Sequence, residues 1–204
     1  MIIAAKTTFS DFLNKINLTK DPALEFEKAV KKFASTKMDW DKYCFKQQHF
    51  KFYKKLNVVK YAPPDLNNLT WGELTYITAA ENTDEILFNA AEILIKKSKQ
   101  EILESPAYAV LSFLNFVKSE LERIAKLFAE IEYKPSIDEK KAGIDKLNFG
   151  LFGTIDWWAK RMGITDHEEA EKTKWIRIYK CMKNDNATAE YQRRFSNILM
   201  NKKK

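Results

Sequence analysis

Residues 105–131 read SPAYAVLSFLNFVKSELERIAKLFAEI. Val110, Leu114, Val117, Leu121, Ile124, Phe128 and Ile131 recur at alternating spacings of four and three. That is a heptad seam held through three heptads, a period that belongs to an α-helix. Leu111, Phe113 and Phe116 widen the stripe beyond a two-stranded seam, as a helix buried inside a bundle requires. A helix that pairs across a subunit boundary is the competing reading of the same seam. Ser105 supplies an N-cap, and Pro106 takes the first helical position, where its missing N–H costs nothing. The spacing predicts the longest helix of the chain, ended by Pro135.

The segments before it also read as helices. Residues 9–18 form a short amphipathic pattern with Ser10 as a candidate N-cap. Asp21-Pro22 opens a clearer helix with Leu24, Phe26, Ala29, Val30 and Phe33 on its apolar stripe. Thr70-Trp71-Gly72-Glu73 is a capping box, in which Thr and Glu satisfy each other's backbone N–H groups. Another start falls near Asn82-Thr83-Asp84, followed by Ile86, Leu87, Ala90, Ala91 and Leu94 on one buried face. The fold class is therefore all-α, a helical bundle around a long central helix. Pro63-Pro64 divides a basic, aromatic-rich region, residues 1–64, from a helical core, residues 65–204, unless the two form one continuous domain.

Residues 36–61 interleave Trp40, Tyr43, Phe45, Phe50, Phe52 and Tyr53 with lysines. One reading is a nucleic-acid surface, with rings stacking on bases and lysines following phosphates. The other is a helix or small β element with buried rings and lysine stems spread over apolar surface.

After Pro135, a polar loop leads to AGIDKLNFGLFGTIDWWAKRMG, residues 142–163, which holds four of the five glycines. Gly143, Gly150, Gly153 and Gly163 mark a shaped turn, because glycine supplies positive φ or lets other atoms approach closely. Phe149, Phe152, Trp157 and Trp158 lie between them and are candidates for an interface or for core packing. Thr165-Asp166-His167-Glu168 reads as a capping box for a helix with Trp175, Ile178, Tyr179 and Met182 on its apolar face. Asn184-Asp185-Asn186 reads as a break. A terminal helix, residues 187–200, follows with Tyr191, Phe195, Ile198 and Leu199 on one face. Arg193 and Arg194 lie on another and join the interface candidates.

Chemistry is sparse. Asp145 and Asp156 could form a carboxylate pair across the turn, but no nucleophile or His accompanies them, and local capping by Asp156 is the simpler reading. The glycines do not make a phosphate-cradling loop, since no lysine follows Gly153-Thr154. His49 and His167 are isolated, as are Cys44 and Cys181, so the sequence implies no metal, no cofactor and no catalytic residue. No apolar window reaches membrane-spanning length, and the start lacks the pattern of a signal peptide. With 45% apolar and 13% aromatic residues, the composition is that of a folded chain.

The net charge of +7 is uneven. Residues 1–61 carry +7, residues 62–141 carry −5 and residues 142–204 carry +5. Complementary blocks of this kind suit self-association or an acidic partner.

Five segments occur together in order: Leu69–Leu74 (LTWGEL), Phe113–Ile124 (FLNFVKSELERI), Ala142–Leu147 (AGIDKL), Phe149–Asp156 (FGLFGTID) and Glu190–Arg194 (EYQRR). Over residues 66–200 this combination resembles small helical proteins of the tail-morphogenesis modules of tailed bacteriophages that infect Bacteroidota, crAss-like phages among them. It differs from that pattern at Gly153, where proline is usual. The resemblance implies a structural, non-enzymatic virion protein. It would be a tail or neck ring subunit, a homo-oligomer around the DNA conduit, made in the host cytoplasm. Its partners would be copies of itself and other tail, neck or portal proteins, near DNA, with no membrane and no small-molecule substrate. A tail assembly chaperone absent from the mature particle is the alternative, and a basic nucleic-acid-binding protein is another.

Overall fold

The computed structural model describes residues 7–35, 65–133, 135–147 and 149–202. The aromatic–basic stretch at 36–61, with its possible β element, His49 and Cys44, lies outside them, as does Pro63-Pro64. Every regular element among the described residues is a helix, so the chain is all-α. The helices are α1 (Phe9–Asn17), α2 (Pro22–Ser35), α3 (Trp71–Thr78), α4 (Thr83–Ile95) and α5 (Lys99–Glu104). They are followed by α6 (Ala107–Glu130), α7 (Ile137–Lys141), α8 (Gly150–Met162), α9 (His167–Glu171) and α10 (Trp175–Lys202), with one 3-10 turn at Ile144–Lys146.

The chain divides into two compact units, the first made of residues 1–66 and 76–122, the second of residues 67–75 and 123–204.

In the first unit, α1 is capped by Thr8, whose hydroxyl accepts from the Asp11 N–H at 3.1 Å. The cap falls two residues before Ser10, which is itself inside the helix. Phe9 and Phe12 are fully buried and pack their rings against Phe26 of α2, with centroids 6.0–6.5 Å apart. Asp21 caps α2 by accepting from the Leu24 N–H at 3.0 Å, as Asp21-Pro22 predicts. Leu24 itself is largely exposed, so the buried side of α2 is narrower than its apolar pattern. Backbone bonds Phe9 N–H to Ser105 O, 2.8 Å, and Ala107 N–H to Thr7 O, 2.9 Å, tie the start of α1 to the start of α6. α4 is capped by Asn82, and α5 by a full capping box of Ser98 and Glu101. The part of α6 in this unit is buried on nearly every side, Ala107, Ala109, Val110, Leu111, Phe113, Leu114 and Val117 all being buried. Its wide stripe is that of a core helix.

In the second unit, Trp71 and Trp175 are buried and share the ring of Phe128, which also meets Tyr179 at 5.6 Å. Strand-like pairing sets this cluster: the Trp71 N–H donates to Thr173 O at 2.8 Å, and the Trp175 N–H donates to Leu69 O at 3.1 Å. The Thr70–Glu73 capping box is present in both directions, at 3.2 and 2.9 Å.

Three sequence expectations give way here. α10 has 28 residues against 24 for α6, so α6 is not the longest helix. The expected break at Asn184–Asn186 is absent; α10 runs straight through it. Asn and Asp cost only about half a kcal/mol each in a helix. Here the Asn186 amide donates to Ile131 O and Asp185 pairs with Arg161, which offsets that cost. Finally, the expected capping box at Thr165 is shifted: Asp166 caps α9 through the Glu168 N–H, and α9 ends before α10 begins at Trp175.

Candidate interaction surface

The glycine-rich segment builds one corner of the second unit. Gly143 and Gly163 have φ of +88° and +67°, and Gly150 opens α8 with φ of +54°. Gly153 differs: its φ is ordinary, but a Cβ there would stand 2.7 Å from the Cβ of Phe149. The glycine lets Phe149 fold over the first turn of α8. At the far end, Gly163 turns left-handed and the Ile164 N–H donates to Ala159 O at 2.9 Å, satisfying a carbonyl of the last turn.

These turns sort the four aromatic candidates. Trp158 is 1% exposed, and its indole N–H donates to the Thr173 hydroxyl at 3.1 Å. The Arg177 guanidinium lies 5.7 Å above its ring. Trp158 is thus a core residue of the unit. Trp157 is half-buried, with Arg161 over its ring at 5.6 Å. Phe149 and Phe152 are 69% and 63% exposed. Phe152 lies 5.2 Å from the imidazole of His167. Leu147 and Leu151 are exposed beside them.

The acidic residues of this corner have structural partners. Asp156 accepts from Lys160 at 2.7 Å and faces His167 Nε2 at 3.5 Å. The Lys160 hydrogen bond, with a lesser one from His167, holds its carboxyl below the usual carboxylate range. Its role is therefore an ion pair within and beside α8, not helix capping. The side chain of Asp145 is outside the described residues, so the imagined carboxylate pair lies there too. Among the described residues, no group of His, Cys, Asp and Glu is arranged to hold a metal ion. None of the helices described is long and apolar enough to cross a membrane. The first unit has a groove of about 530 Å³ lined by Ile16, Phe26, Val30, Glu27, Asp84 and Lys118, among others. Its lining offers carboxylates, ammonium groups and the Thr83 hydroxyl, but no thiol or imidazole.

The second apolar surface is on the outer part of α10, where residues 187–200 are all exposed. The rings of Tyr191 and Phe195 stack at 6.1 Å with planes 9° apart. Arg193 lies over Tyr133 at 4.9 Å, and Tyr133 in turn donates to Glu139. That bond and those from Ser136 lower the Glu139 carboxyl to about 2. The same bond to Glu139 raises the Tyr133 hydroxyl. Arg194 is exposed.

Of the sequence candidates, the structure brings Phe149 and Phe152 to the surface at the start of α8, leaves Trp157 half-buried in its middle, places Trp158 in the core, and sets Arg193 against Tyr133. Tyr133 and Ile137, both exposed, were not candidates. Their only sequence signal is an apolar residue in a polar stretch. Large exposed apolar side chains are concentrated in this unit: among the described residues, only Leu18, Leu24 and Tyr76 of the first unit match them. Comparison with protein-family models, with curated proteins and with solved structures gives no match for this chain.

Proposed function

We propose that this chain is a non-enzymatic assembly protein, a structural subunit of the tail or neck of a tailed bacteriophage. On this reading it is made in the host cytoplasm and forms a homo-oligomer around the DNA conduit of the virion. The observation that carries the assembly role is the apolar surface of the second unit. That surface consists of two exposed patches, Leu147, Phe149, Leu151 and Phe152 at the start of α8 and Tyr191 and Phe195 on α10, and exposed clusters of large apolar side chains mark interaction sites. The complementary charge blocks along the chain support contacts between copies. The resemblance over residues 66–200 supplies the phage setting.

The assembly-chaperone reading draws on the same apolar surface, which a chaperone would use to cover a tail component. Mass spectrometry of purified particles separates the two. Presence at a fixed copy number is the expected result; presence only in immature assemblies would shift the role to the chaperone. Titration with DNA at two salt concentrations tests the nucleic-acid reading, which requires binding that persists at physiological salt.

A further inference from the structure

The two halves of α10 are held in different ways. In the first half, Trp175, Ile178 and Tyr179 are buried. Asp185 and Asn186 are half-buried, and residues 187–200 are all exposed. Packing therefore fixes the first half and contributes little to the second. Local propensity does not fix the second half either. Asn184, Asp185, Asn186 and Thr188 are weak helix formers. The Thr188 hydroxyl donates to the Asn184 carbonyl at 3.0 Å, a bond that weakens and bends helices. Alone, residues 187–202 have about the length at which a helix in water is marginal.

What holds the second half is polar. Asp185 pairs with Arg161 of α8, and the Asn186 amide donates to the Ile131 carbonyl just past the end of α6. Arg193 lies two turns beyond Asn186 and so on the same face. Its guanidinium covers the ring of Tyr133 at 4.9 Å. The Tyr133 hydroxyl donates to Glu139, whose carboxylate also accepts from the Ser136 N–H at 2.7 Å. All of these partners belong to the second unit.

We propose that these contacts form a latch and that Asn184–Asn186 is a hinge. With the latch made, α10 is one continuous helix. With it open, the helix ends near Asn184, and the residues beyond it unwind while Trp175, Ile178 and Tyr179 stay packed. The device decides whether Tyr191, Phe195, Ile198 and Leu199 are presented in fixed register. Salt acts on it, because Arg161 and Asp185 are each 37% exposed and an exposed pair is screened. The inference goes beyond the function proposed above and does not depend on it.

Hydrogen exchange of the full chain, read by mass spectrometry, follows the two halves separately. Arg161→Ala with Tyr133→Leu changes no residue of α10. The pair should speed exchange of residues 187–200 roughly five- to tenfold and leave residues 175–182 unchanged. Asn184→Ala raises helix propensity at the hinge. It should slow the same exchange about threefold in the unaltered chain and restore part of the protection lost in the double variant. High salt should act as the double variant does, more weakly. Exchange of residues 187–200 that ignores the double variant, or that Asn184→Ala does not slow, would overturn the latch. So would equal acceleration in residues 175–182, since the helix would then open as a whole.

Discussion

The indole nitrogen of Trp158 on α8 donates to the hydroxyl of Thr173, in the turn before α10, at 3.1 Å. The Thr173 carbonyl in turn accepts from Trp71. One residue thus joins α8 to the pairing that closes the aromatic cluster. Replacing Thr173 with Val keeps the shape and leaves the indole N–H without its partner. The expected loss is about 1–3 kcal/mol, the range for an orphaned buried donor. Trp158→Phe in the Thr173→Val background should recover less than additive loss. Urea titration of the two single variants and the double measures the coupling.

Gly150 and Gly153 should fail for different reasons. Gly150→Ala forces a side chain into the left-handed region at φ +54°, costing about 1–2 kcal/mol, with nothing nearby to strike. Gly153→Ala gains up to about 1 kcal/mol of helix propensity but drives a Cβ to 2.7 Å from that of Phe149. Overpacking of that kind costs about 1–3 kcal/mol, so the net effect is destabilising. Phe149→Gly should rescue Gly153→Ala and do nothing for Gly150→Ala. Thermal melts of the four chains decide it.

Acid should leave the Tyr133–Glu139 bond intact to unusually low pH. The Glu139 carboxyl is lowered from 4.5 to about 2, first by Tyr133 and then by Ser136. A depressed carboxylate contributes stability above its unfolded value, lost as pH falls through its folded one. The window is therefore from about 4.5 down to about 2. In Tyr133→Phe the titration should move upward, with the Ser136 bonds retaining part of the shift. Carbon-detected NMR of the Glu139 side chain reads the midpoint; no movement in Tyr133→Phe would contradict this assignment.

Trp175 has no exposed surface and lies within 6.3 Å of Phe128 and Tyr179, with the Arg123 guanidinium 5.9 Å from its ring. Trp175→Ala should cost about 3–5 kcal/mol, a large fraction of the stability of any domain. Thr70→Ala, which removes one side of the capping box, should cost about 1 kcal/mol. Chemical denaturation should separate the two by their midpoints.

Helix starts were legible in part: the caps expected at Ser10 and Thr165 fall on Thr8 and Asp166. Asp21, Thr70 and Asn82 cap the helices that their positions predict, because capping is decided within four residues. The wide stripe of α6 was legible too, since residues 107–117, mostly buried, carry few polar side chains. What local chemistry does not determine was misread. At Asn184–Asn186, the contacts to Ile131 and Arg161 that offset the weak helix propensity come from residues distant in sequence. The four aromatics around Gly150 and Gly153 were visible as a group. Their division into a buried Trp158 and an exposed Phe149 and Phe152 depends on Thr173 and Arg177, which are distant in sequence.

The pairing of Thr70 with Lys174 also sets an order of events during synthesis. Residues 67–75 leave the ribosome early, yet the backbone partners of Leu69 and Trp71 are Trp175 and Thr173. Of the described helices of the first unit, α1 and α2 are made before residues 67–75, and α4, α5 and the first part of α6 in the interval. The first unit can begin to fold on the growing chain, while Trp71 must wait for a partner about a hundred residues downstream. A loop of that length is slow to close. Chains truncated before Trp175 should therefore hold a folded first unit and an unsealed second one, open to whatever binds apolar surface in the cell.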